Sequence, residues 1–138
     1  MADEEPIDDA DELLHRQVHP TFLQNGRVSS QAFRPTPKDE GMLSVSRGSM
    51  TTAEDAYVLY TGDKGLESAG VWSVTVSECG TVDLKAFHDP LTDPVPDSAH
   101  SFVDFRDVGT SKAEKCSKRL AAFARARGCQ HAPASAGD

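Results

Sequence analysis

The chain has 138 residues, 38% hydrophobic and 26% charged, with 14 Lys+Arg against 22 Asp+Glu for a formal net charge of -8. That length suits one domain with one small core, and the composition excludes collagen-like, coiled-coil and wholly disordered classes. No run approaches the ~18 consecutive apolar residues of a membrane span, the acidic start lacks the positive and apolar regions of a secretory signal, and excess acid opposes binding to phosphate backbones. The expectation is a soluble, cytoplasmic protein with neither a membrane nor a nucleic acid as partner.

The charge is uneven along the chain: residues 1–12 carry -7, residues 13–110 carry -5 and residues 111–138 carry +4. Residues 1–10 therefore read as a disordered acidic tail, with too little to bury to fold alone, and QHAPASAGD (residues 130–138) as a second polar tail. Residues 11–129 are left as a single domain.

Residues 10–18 (ADELLHRQV) place Leu13, Leu14 and Val18 at helical spacing before Pro20, which predicts a short helix. Residues 26–29 and 41–47 read as short strands on either side of the loop RPTPKDE. Thr52 is a candidate N-cap, with Glu54 and Asp55 in the first turn of a two-turn helix that Gly62 ends. Residues 70–78 (GVWSVTVSE) alternate Trp72, Val74 and Val76 with Ser73, Thr75 and Ser77, the clearest strand pattern in the chain. Cys79-Gly80 is expected to turn a hairpin into a strand over residues 81–87, and after the Pro-containing loop HDPLTDPVPDS a last strand is expected over residues 100–105. A helix over residues 112–127, capped by Ser111 with Glu114 at capping-box spacing, gathers Cys116, Leu120, Phe123 and Ala124 on one face and ends at Gly128. Together these predict the α+β class: a small mixed or antiparallel sheet with a C-terminal amphipathic helix.

Cys79, Cys116 and Cys129 form no C-x-x-C pair, an odd number that suits a reducing compartment, and Cys116 reads as a small core hydrophobe. His15 and His19 stand four apart, the spacing of paired metal ligands on a helix, but no H-E-x-x-H pattern accompanies them and no metal is expected. His100 suits a general base or a side chain that hydrogen-bonds a backbone carbonyl, and the second role is the expectation. Nucleophile-elbow, P-loop and dinucleotide-fold motifs are absent, which leaves open whether the chain is an enzyme.

The densest polar stretch runs from His15 to Arg47, and its Arg and Ser residues suit recognition of an anion such as phosphate, although solvation of a loop is the simpler explanation of the same residues. From it the candidate ligand-binding residues are Arg16, His19, Arg34, Ser44, Ser46 and Arg47, with His100 added from the last strand. The expected function is a small binding or accessory protein that contacts a protein partner or a small anionic ligand through this segment, with no cofactor. The basic side of the last helix is a further surface for an acidic partner.

Two resemblances follow from these residues. The phrase SSQAFRPTPKDEGMLSV resembles the signature of small bacterial proteins of unknown function. The order HR, G-R-V turn, LSVS strand, TTAEDA helix, VWSVTV strand, over about residues 15–105, resembles ADP-ribosyltransferase-like domains. The second resemblance implies an enzyme that uses NAD as cofactor in a cleft between two small sheets. Arg16 or His19 would take the early basic role and Ser44 or Ser46 the hydroxyl, while the late acidic role falls to Glu78 or Asp104, with no clear occupant.

Overall fold

The computed structural model describes residues 5–36 and 40–132. In chain order the strands are β1 (Glu5–Pro6), β2 (Leu13–Val18), β3 (Leu23–Gln24), β4 (Arg27–Val28), β5 (Met42–Arg47), β6 (Gly70–Thr75), β7 (Ala86–His88) and β8 (His100–Asp104), and the α-helices are α1 (Ala53–Val58), α2 (Val76–Gly80) and α3 (Thr110–Arg127). Six strands make one antiparallel sheet in the order β1-β7-β8-β5-β2-β6, and β3 with β4 makes a separate ribbon. The α+β class expected from the element pattern is the class observed.

The first departure from expectation is at residues 10–18, where the helix is replaced by β2. Leu14 and Val18 are four apart, a spacing that fits one helix face and equally one strand face. The neighbours decide. β2 pairs with β5 on one side and with β6 on the other, from Leu13↔Thr75 to Val18↔Gly70. Adjacent residues Leu14 and His15 are both buried, at 0% and 5% exposed, as in a central strand covered on both faces.

The second departure is the expected hairpin after β6. Thr75 caps α2 instead: its hydroxyl accepts from the Glu78 N–H, and the Glu78 carboxylate accepts from the Thr75 N–H. Arg127 donates to both Glu78 oxygens at 2.8 and 2.9 Å, which fastens α2 to the end of α3. The chain therefore leaves β6 through a helical turn, and β7 pairs with β8 and β1 at the other side of the sheet.

α3 begins two residues earlier than expected, with Gly109 as its N-cap and no side-chain cap, so the Ser111–Glu114 pairing is not used. The helix after Thr52 forms as expected, with the Thr52 hydroxyl accepting from the Asp55 N–H, and continues into a wider turn over Leu59–Asp63. The Asn25-Gly26 dipeptide, with φ of 56° and 78°, makes the tight β3–β4 turn.

Residues 1–4 and 133–138 of the expected tails lie outside the described residues. Of the rest of the first tail, Glu5–Pro6 pairs with β7 and Ile7 is buried in the core, so the folded part begins before residue 11. Past α3, the backbone of Gln130 and His131 bonds both polar groups of Val71 at 2.8 and 2.7 Å. Gly70, at φ 151°, permits this approach, since a Cβ there would stand 2.8 Å from the His131 carbonyl oxygen.

Antiparallel register puts Leu14, Leu43, Val45, Val74 and Val103 on one face of the sheet, where they meet Phe33, Cys116, Leu120 and Ala124 in the main core. The other face carries Leu13, His15, Gln17, Ser44, Ser46 and His100, and α1 packs over it against β2 and β6. Among the described residues no helix is long and apolar enough to cross a membrane.

Candidate functional site

The polar face is covered at both sides and open between them. A cleft of about 430 Å³ has His15, Gln17, Ser44, Ser46 and His100 along its floor. Tyr60, Lys64 and Leu66, from the segment after α1, stand on one side, and Leu91 and Asp97 stand on the other. Leu91 and Asp97 exchange backbone hydrogen bonds of 3.0 and 2.9 Å that shape their loop, and Lys64 Nζ meets Asp97 Oδ2 at 2.8 Å, tying the two walls together.

His100 opens β8 within reach of two partners. Its Nδ1 lies 2.9 Å from the Asp89 carbonyl oxygen, which can only accept, so Nδ1 carries the ring proton. Nε2 is then the acceptor, and the Ser44 hydroxyl, 3.2 Å away, donates to it. The Asp89 carboxylate stands 3.4 Å from the same Nδ1. The expected carbonyl contact of His100 is thus observed, and it orients the ring so that a basic nitrogen faces the exposed hydroxyl of Ser44.

His15 sits deeper, with Nδ1 2.7 Å from the Ser73 hydroxyl, and burial pushes its pKa below the usual histidine value, so it is neutral at neutral pH. Beside it, the Gln17 side-chain amide is buried at both its oxygen and its nitrogen with no hydrogen-bond partner among the described residues. An amide so placed costs about 1–3 kcal/mol unless something in the cleft pairs with it.

Of the seven sequence-derived candidates, Arg16, His19, Ser44, Ser46 and His100 border this cleft. Their roles differ. Arg16 directs Nε to the Ala32 carbonyl at 2.7 Å and Nη1 to the Ser44 carbonyl at 2.9 Å, bracing the strand that carries Ser44. His19 caps the turn Pro20–Phe22 by accepting from the Thr21 N–H, and its Nε2 lies 3.7 Å from Glu67. Arg34 lies elsewhere, in a hollow of about 600 Å³ with Phe22, Phe105 and Val108.

Arg47 is turned to Glu12, with two contacts of 2.9 Å, and Ser49 donates to the same carboxylate. These donors hold the Glu12 carboxyl at about 2, against 4.5 ordinarily, so Arg47 serves an internal ion pair. The resemblance to ADP-ribosyltransferase-like domains also drew in Glu78 and Asp104, and each has an arginine partner: Glu78 bonds Arg127 and Asp104 bonds Arg106.

Sequence reasoning missed Gln17, Lys64, Asp89 and Asp97. Once residues 13–18 are a strand, alternation alone puts Gln17 on the His15 face. For Lys64 and Asp97 no local signal exists. Among the described residues no group of three or more His, Cys, Asp or Glu side chains is arranged to hold a metal ion. No family model, curated protein or solved structure matches the chain.

Proposed function

We propose that the protein is a small cytoplasmic binding protein whose cleft takes a small polar ligand, anionic in its charged part. The unpartnered Gln17 amide carries this reading, because a buried donor and acceptor side by side are satisfied by a ligand that offers both. Ser44, Ser46 and His100 supply further hydrogen-bonding groups along the floor. Lys64, which bridges to Asp97 at 2.8 Å, places a cationic donor at the wall of the cleft, the kind of group that suits an anion. The unpaired Cys79, Cys116 and Cys129 fit the reducing cytoplasm.

The test is a titration followed by backbone amide NMR, with NAD as the first probe because the family resemblance suggests it. Saturable shifts at residues 15–17, 44–46 and 100, lost in Ser44→Ala/Ser46→Ala, are expected. Shifts confined to other surfaces with every small anion tried would overturn the reading and leave a protein partner as the occupant.

A second reading rests on the Ser44–His100–Asp89 line, which has the order nucleophile, base and orienting acid used in acyl transfer. Ser44 Oγ would attack an ester carbonyl while its proton passes to His100 Nε2 and on to the leaving alcohol. Water would then attack the acyl-serine and lose a proton to the same nitrogen, which returns it to Ser44 Oγ as the Oγ–acyl bond breaks and the acid leaves. Labelling by a fluorophosphonate probe, abolished by Ser44→Ala and reduced by His100→Gln, is the expected outcome. An unlabelled native protein removes this reading and leaves the binding role standing.

A further inference from the structure

On the α3 side of the sheet a separate hollow of about 480 Å³ lies between the β3–β4 ribbon and α3. Arg27 enters it from β4, Ser29 and Ser30 from the chain that follows, and Lys118 and Arg125 from α3. No carboxylate is among its lining residues, so three cations face one space without an internal counter-charge. Arg125 Nη1 bonds the Val28 carbonyl at 2.9 Å, which fixes that guanidinium at the rim. Lys118 meets Glu114 at 3.5 Å with both side chains more than half exposed, a pair that water and salt weaken. The Arg27 backbone pairs with Gln24 in the ribbon, and its side chain makes no hydrogen bond or ion pair among the described residues.

An independent observation concerns Ser29. It is 8% exposed, and its hydroxyl is buried without a hydrogen-bond partner among the described residues. A hydroxyl in that condition within a basic hollow matches the neutral donor that commonly accompanies arginine around a phosphoryl group. Apart from Val28, the remaining lining is amide and hydroxyl, from Gln24, Asn25, Gln31 and Ser30, with no aromatic ring on which a base could stack. Such a wall suits the hydroxyls of a sugar.

We propose that this hollow is a second binding site, for the phosphate group of a small phosphorylated polyol. The phosphate meets Arg27, Lys118 and the Ser29 hydroxyl, and the polyol lies along the amide side chains. The site shares no lining residue with the cleft and does not depend on the function proposed for it.

Ribose 5-phosphate, ribose and inorganic phosphate are the probes, each titrated into the full-length chain and followed by backbone amide NMR. Ribose 5-phosphate is expected to shift residues 24–31 and 118–125 saturably and more tightly than either fragment, with affinity that falls as salt rises. The exposed pair Arg27→Ala/Lys118→Ala, which leaves the core intact, is expected to weaken binding by about tenfold or more. Ser29→Ala separates the roles of its hydroxyl. Weaker binding with an unchanged or raised Tm is expected, whereas a lowered Tm with unchanged affinity would make the hydroxyl structural. Absence of saturable shifts at millimolar ribose 5-phosphate, or equal binding by the double variant, overturns the site. Inorganic phosphate binding as tightly as the ester overturns the polyol.

Discussion

The two faces of the central strands make opposite use of the same backbone. Toward α3, Leu14, Leu43, Val45 and Val103 are 0–3% exposed and pack into the main core, with the buried Ser101 as the small polar residue paired with Val45. Toward α1, the alternate positions hold His15, Gln17, Ser44 and Ser46, and the cover stops short, leaving a cleft. A sheet face that carries imidazoles, hydroxyls and an unpaired amide contributes little hydrophobic stabilisation, so the other face must supply most of it. Stability and binding are therefore separable here by residue parity along a single strand.

The strongest way to break this division is to alter the α3 face. Leu14→Ala is expected to destabilise the fold by about 2–5 kcal/mol, since it opens a cavity beneath α3. Chemical denaturation measures this, and a loss below that of any cleft substitution would mean that the core face is not the dominant support.

Next comes the ion pair at the end of the sheet. The Glu12 carboxyl is lowered in the folded chain, so the stability it contributes is present above its ordinary value near 4.5 and is lost as pH falls toward about 2. That difference corresponds to roughly 3 kcal/mol. Glu12→Gln is expected to be destabilised at neutral pH and to show a flatter stability profile over the acid range. A parallel profile for the two proteins would show that Glu12 is not the group responsible.

The cleft face should respond weakly and, at one position, with the opposite sign. Ser44→Ala removes one hydroxyl that donates to His100, with an expected cost of about 1 kcal/mol or less. Gln17→Leu replaces an unpartnered buried amide by a residue of similar size, so stability is expected to stay within about 1 kcal/mol of the parent or to rise. Ligand binding in the cleft should be lost in the same variant. A clear destabilisation of Gln17→Leu would show that the amide already has a partner and would blunt the contrast between the faces.

Much of the fold was legible from local pattern. The alternation over residues 70–75, the Thr52 cap and the Cys116–Leu120–Ala124 stripe each follow from one period read in one window, and each element forms where that period requires. The errors were of two physical kinds. At β2 two periods fitted the same residues, and only pairing with β5 and β6 selected the strand. At Thr75–Glu78 a capping box lay in plain view, inside an alternating run whose continuation masked it. Among the candidate residues, Ser44, Ser46 and His100 lie together along the cleft, whereas Arg47 is turned to Glu12, a partner 35 residues away that no local pattern shows.

The amino-acid sequence by itself determined the α+β class, the amphipathic final helix and the uneven charge, because each depends on periodicity or composition within a short window. Tertiary structure alone decided that the Ser44 hydroxyl meets the His100 imidazole, that Arg16 and Arg125 turn to distant carbonyls, and that Arg27 lines one hollow with Lys118 and Arg125. The Arg16–Ser44, Ser44–His100 and Arg125–Val28 contacts join residues 28, 56 and 97 positions apart, through strand register and helix placement. No local free-energy preference encodes such distances, and only the packing of the whole chain brings the groups together.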